Sequence, residues 1–209
     1  MKKFITILIA AATLSVCSVS ESNALFSAGL RLGFNASKFT GYAPNGTAYQ
    51  FAPGFHIGPY FRVAFKEKYR VQIDVLFSTN GAVHKEYIPG SSTLATESYY
   101  NLPFYINLPV MFNYKPIAGL YVEAGVQPSI ALTELNFSAN TTSNFNKSDL
   151  KTVDFAPIAG VGYEFKKVSL GIRGAFGVTN VHNSGGLYSY LNTSTNKNVT
   201  LMATFGFKF

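Results

Sequence analysis

His182 and Ser184 lie two residues apart in HNSGG, and an imidazole beside a serine hydroxyl is the smallest equipment that can activate a nucleophile. The imidazole then needs an acid to orient it, yet no Asp or Glu follows Glu164, and the residue after the serine is Gly185. The pair therefore stays a bare candidate, and the expected catalytic set is none. His56 and His84 are too far apart in sequence and too few to form a metal centre, so no metal site is expected. AGVGYEF and GIRGAFG contain paired glycines without the full phosphate-cradling pattern at a strand-to-helix turn, so no cofactor is expected either.

More telling chemistry sits in nine charged residues: Arg31, Arg62, Arg70, Asp74, Glu123, Asp154, Glu164, Arg173 and Lys208. Each falls inside a segment of about ten residues whose apolar side chains recur at every second position, which is the period of a strand with one apolar face. SAGLRLGFNAS opens the series, followed by segments at 55–65, 69–78, 104–114, 120–132, 153–165, 168–178 and 198–209. In the fourth, fifth and sixth the apolar residues are expected at positions of one parity only. All nine charges lie on the opposite parity, where they can pair as an ion network.

Eight alternating segments pose the question of which face meets what. Tight lysine-bearing turns, KEK (66–68), KPIA (115–118) and KK (166–167), alternate with longer polar connections at roughly 38–54, 79–99, 134–152 and 179–198. Short connections at one end and long ones at the other describe an up-and-down barrel crossing an outer membrane. The interior of eight strands is narrow, so the large Phe, Leu, Ile and Val side chains must point out while glycines and charges point in. A charge on the lipid side would cost about 2–4 kcal/mol near the midplane. The expectation is an all-β, eight-stranded antiparallel transmembrane barrel with both mature termini periplasmic.

Composition agrees. Charged residues are 13% of the chain, about half the roughly 25% usual in soluble domains. The net charge of +7 is spread singly along the chain rather than gathered in a patch, which argues against nucleic acid. Lys2 and Lys3, the apolar run FITILIAAATLSV and the small-residue site Ser22-Asn23-Ala24 form a signal peptide over 1–24, leaving 25–209 as the barrel domain. The rival reading is lipidation at Cys17, the single cysteine. Pro59, Pro109, Pro128 and Pro157 fall inside strands and are expected at bulges or at breaks near the outer rim. Phe65, Tyr69, Tyr114, Tyr163, Phe165, Phe207 and Phe209 should form the aromatic belt at the turn end.

The runs GLRLGFNASKF, PGFHIGPYFRVAF, NLPFYINLPVMFNY, GLYVEAGVQPSI and DFAPIAGVGYEF resemble the PorT-type outer-membrane β-barrel proteins of Bacteroidota across nearly all of 25–209. The resemblance implies outer-membrane lipid as the surroundings and the barrel-insertion machinery as a partner. Phe205, Phe207 and Phe209 match in position the terminal aromatic signal that this machinery reads. It also implies a non-enzymatic role: membrane structure, surface interaction or support of a secretion assembly through a surface or secretion-system partner. A narrow porin-like channel is one alternative. HNSGG also resembles the His-x-Ser of lipid A deacylases, and a lipid A-modifying hydrolase is the second, although the downstream acid of that family is missing here.

Overall fold

The computed structural model describes residues 26–40, 47–65, 68–86, 98–138, 141–146, 151–181 and 197–209. The expected signal peptide with Cys17, and the His182/Ser184 pair, lie outside the described residues. The described residues form twelve strand segments: β1 (Phe26–Thr40), β2 (Thr47–Phe65), β3 (Tyr69–Asp74), β4 (Leu76–Thr79), β5 (Ala82–Glu86), β6 (Ser98–Asn107), β7 (Val110–Tyr114), β8 (Leu120–Ser138), β9 (Thr141–Asn146), β10 (Val153–Glu164), β11 (Val168–Phe176) and β12 (Lys197–Lys208). They build eight staves, because β3, β4 and β5 continue one another, as do β6 and β7, and β9 folds back on β8 beyond the wall. Every pairing is antiparallel. The cylinder closes through β1, which pairs with β2 (Leu32 opposite Ile57) and with β12 (Gly29 opposite Lys208).

Closure removes every edge from the wall, so its backbone groups are satisfied without water, as a hydrocarbon setting demands. Alternation does the rest. In β11 Ile172 is 56% exposed and its neighbour Arg173 is 0% exposed; in β1 Phe34 reaches 76% and Arg31 0%. The apolar face therefore lies outside and the ionised one inside, the opposite of a water-soluble barrel. The turn-end belt is in place: Tyr69 stacks on Tyr114 with ring centroids 5.3 Å apart, and Tyr163 lies 5.0 Å from Phe165. Gly119 closes the 115–119 turn with φ 86, a left-handed conformation that a side chain would strain.

Three expectations need correction. Strands run further toward the long-loop end than the alternation reached: β2 begins at Thr47, β6 at Ser98, and β8 continues to Ser138 before β9. Beyond the hydrocarbon a strand needs no apolar face, so the period-two signal fades while the ladder persists. The proline-linked breaks lie within the wall rather than at the outer rim. Val75 interrupts the third stave and donates its N–H to the Pro59 carbonyl (2.9 Å); Pro109 separates β6 from β7 beside Pro128, whose carbonyl takes the Leu108 N–H (2.9 Å). Pro157 sits in the unbroken β10. Finally, the fourth and sixth segments are not apolar at one parity only: inward Met111, Ala156 and Ile158 join Ala175 and Met202 in one buried cluster, and Phe39, Ala82, Tyr105, Ala131 and Val181 form another.

Candidate functional site

The lumen gathers side chains from staves distant in sequence. Arg31 on β1, Asp74 at the end of β3, Glu123 on β8 and Arg173 on β11 all point inward because each occupies the parity opposite its strand's apolar residues. Arg31 Nη1 donates to Asp74 Oδ2 at 3.0 Å, and Arg173 Nη1 donates to the same oxygen at 2.7 Å. Arg173 then grips Glu123 with the Nε/Nη2 edge of its guanidinium, Nε to Oε1 at 2.6 Å and Nη2 to Oε2 at 3.1 Å. Gln72 Nε2 donates to Asp74 Oδ1 (2.7 Å) and Asn113 Nδ2 to Glu123 Oε2 (3.1 Å). With these bonds all four oxygens of the two carboxylates are occupied.

A second cluster lies toward the turn end. Glu164 Oε2 accepts from Arg62 Nη1 (3.0 Å) and Arg70 Nη1 (2.5 Å), while Lys115 Nζ stands 3.8 Å from Oε1. Burial against the rim holds Lys115 below the usual lysine range, and Glu164 opposes that shift. Gln72 joins the two clusters, since its Oε1 accepts from Arg62 Nε and Nη2 (3.1 and 2.9 Å). Two aromatic rings separate the cations: the Tyr60 ring centroid lies 5.2 Å from the Arg31 guanidinium carbon and 5.1 Å from that of Arg62, and Tyr121 lies 5.7 Å from that of Arg70. Room for Tyr60 comes from Gly29, where an added Cβ would stand 2.5 Å from the ring.

Nearer the loop end the lumen changes character. His56 Nδ1 meets Asn35 Oδ1 at 2.7 Å, and Asn35 Nδ2 lies within 3.0–3.1 Å of Ser78 Oγ, Asn80 Oδ1 and the Phe55 and Thr79 carbonyls. Above them the Phe39 cluster fills the cross-section. Asp154 belongs to this half: it bonds the Thr179 hydroxyl and accepts the Phe155 N–H (2.7 Å), with no arginine beside it. Lys208, also expected in the ion network, is half-buried in a recess at the turn end with Tyr60, Arg62, Glu164 and Ser169. The structure thus joins seven of the nine charges, Arg31, Arg62, Arg70, Asp74, Glu123, Glu164 and Arg173, and leaves Asp154 and Lys208 outside. Sequence reasoning missed Gln72, Asn113, Tyr60 and Tyr121; inward parity beside a charged residue was the available signal.

Chemically this arrangement holds charge in place. Each lumen carboxylate of the network is fixed by at least one guanidinium, and no water-exposed nucleophile adjoins them among the described residues. Among the described residues there is also no group of three or more His, Cys, Asp or Glu that could hold a metal ion. The sequence matches the family model described as the outer membrane protein beta-barrel domain over residues 20–183. No curated protein matches the sequence. Among solved structures the chain is similar to Ail, the attachment invasion locus protein of Yersinia pestis, in complex with the heparin analogue sucrose octasulfate (TM-score 0.47, 14% identity, 88% of this chain and 99% of that one). It is also similar to Neisserial surface protein A (0.47, 13%, 87% and 97%) and to the outer membrane protease OmpT of Escherichia coli (0.41, 8%, 92% and 99%). Likenesses this remote carry no ligand or activity across.

Proposed function

The chain belongs to the outer membrane protein β-barrel family, and from that premise we propose that it works in the outer membrane without catalysis, behind a closed lumen, as a structural element, a surface-interaction protein or a support for a secretion assembly. The observation that carries this reading is the bridge from Arg31 through Asp74 and Arg173 to Glu123, which spans the cylinder with side chains no more than 4% exposed. A solute path would have to pass through it. The PorT-type resemblance adds a secretion-system or surface protein as partner and Bacteroidota as the source lineage. Cleavage of 1–24 would release the domain over 25–209 with both ends in the periplasm, and Phe205, Phe207 and Phe209 would present the insertion signal. In support, the described ends of β1 and β12 lie side by side at the turn end, where the Phe209 N–H bonds the Ala28 carbonyl (3.1 Å).

Refolded protein in planar bilayers is expected to show no unitary conductance; discrete channel openings at neutral pH would replace this reading with the porin-like alternative. The lipid A hydrolase reading is tested through its own residues. Expression should leave the lipid A mass spectrum unchanged, and loss of an acyl chain that depended on His182 and Ser184 would establish the enzyme instead.

A further inference from the structure

The charges of the chain are distributed unevenly along the barrel axis. Around the bridge Arg31 and Arg173 cancel Asp74 and Glu123. By sequence, the long connections and the strand ends beside them hold lysines 38, 85, 147, 151 and 197 and an equal number of acids, 86, 97, 134, 149 and 154. The short connections and the strand ends beside them hold Lys66, Lys68, Lys115, Lys166, Lys167 and Lys208 in the sequence against only Glu67 and Glu164, and Glu164 is already shared by Arg62 and Arg70. The excess positive charge of the barrel is therefore gathered at one end, with a lysine in every short turn.

The position of these amines matters as much as their number. Lys68, Lys166 and Lys167 are exposed and have no carboxylate partner among the described residues. They adjoin the outward aromatic belt: Lys68 precedes Tyr69, and Lys166 follows Phe165, two rings that are 41% and 54% exposed. Phe and Tyr belts sit at the headgroup level, so the amines just beyond them stand at the depth of lipid phosphates. We propose that the turn end is a docking ring for anionic phospholipid headgroups of the membrane leaflet that surrounds it. Assigning that leaflet to the periplasmic side rests on the orientation given above. The attraction per lysine near an anionic surface corresponds to about fivefold in binding at low salt, and it falls off within a Debye length.

The chain has no tryptophan, so single reporters can be placed at each end. Tyr69→Trp marks the turn end and Val153→Trp, at an outward position 58% exposed, marks the opposite end. Full barrels are refolded in phosphatidylcholine vesicles containing brominated phosphatidylglycerol or brominated phosphatidylcholine, and quenching gives the relative affinity for the two lipids at each reporter. The expected result is a several-fold preference for phosphatidylglycerol at Tyr69→Trp, near unity at Val153→Trp, reduced by salt and abolished by Lys68→Gln, Lys166→Gln and Lys167→Gln together. Equal ratios at the two ends, or a turn-end preference that survives the triple substitution, would overturn the proposal and leave a soluble acidic partner as the occupant to seek. Orientation is read separately, from Lys167→Cys labelled in intact cells by a membrane-impermeant thiol reagent. Labelling from outside would refute the periplasmic assignment while leaving the lipid preference standing.

Discussion

Asp74 and Phe39 both lie in the lumen and both are 2% exposed or less, yet they close it by opposite means. Around Asp74 the cross-section is filled by paired ions whose every contact is directional: lose one partner and a charge is left buried without compensation. Around Phe39 it is filled by Ala82, Tyr105, Ala131 and Val181, where contacts are many, individually weak and tolerant of small changes of shape. Equal burial therefore should not mean equal sensitivity. The ionic half holds a defined geometry at high risk, and the apolar half fills space at low risk.

The largest effect is expected from Asp74→Asn. Arg31 would lose its carboxylate and Arg173 one of its two, so unfolding by urea in vesicles should show a loss of about 3–5 kcal/mol. Adding Arg31→Met to that variant removes the stranded cation and should restore a substantial part of the loss. If the single variant unfolds like the wild type, the bridge contributes nothing and the contrast with the Phe39 cluster disappears.

Next comes Gly160→Ala, which tests how tightly the ionic half is packed. An added Cβ would stand 2.7 Å from the Ile172 carbonyl oxygen, 2.9 Å from Arg173 Cγ and 3.0 Å from Glu123 Oε1, so it must push on the neighbouring strand, on the stem of Arg173 and on the carboxylate. Overpacking of this kind costs about 1–3 kcal/mol. Phe39→Leu makes a change of comparable size in the apolar half and should cost less than about 1.5 kcal/mol, since a hydrophobic side chain of similar volume can repack. Finding the order of these two reversed would show that the apolar plug, not the ionic bridge, is the rigid part.

The difference between the halves also explains what the sequence disclosed. Where the wall crosses hydrocarbon, a charge is confined to the inner parity by a penalty of about 2–4 kcal/mol, so Arg31, Asp74, Glu123 and Arg173 could be placed inward from alternation alone. Which of them meet could not be read, because Asp74 and Arg173 are ninety-nine positions apart and become neighbours only through closure and strand tilt. Gln72 and Asn113 were passed over because amides are as common in loops as in lumens. Toward the loop end the penalty vanishes and alternation with it, which is why β2 and β8 were read too short. The breaks at Val75 and Pro109 were signalled by proline, but their height in the wall was not, since proline removes a donor wherever it stands.

The smallest effect concerns the boundary between these regimes. Lys38 shares the outward parity of Leu32 and Phe34, the face that is apolar in the rest of β1, and its ammonium stands 5.0 Å from the ring centroid of Phe51. If this position lay within hydrocarbon, an unpaired ammonium would be strongly unfavourable, and Lys38→Gln would stabilise the barrel. If it lies beyond the hydrocarbon, as the fading alternation implies, the substitution removes only a half-buried cation–π contact and should cost about 0.5–1 kcal/mol. The sign of the change, measured by the same urea titration, locates the upper edge of the membrane on β1. A stabilising result would move that edge past Lys38 and place the apolar plug at Phe39, as well as the ionic bridge, inside the bilayer.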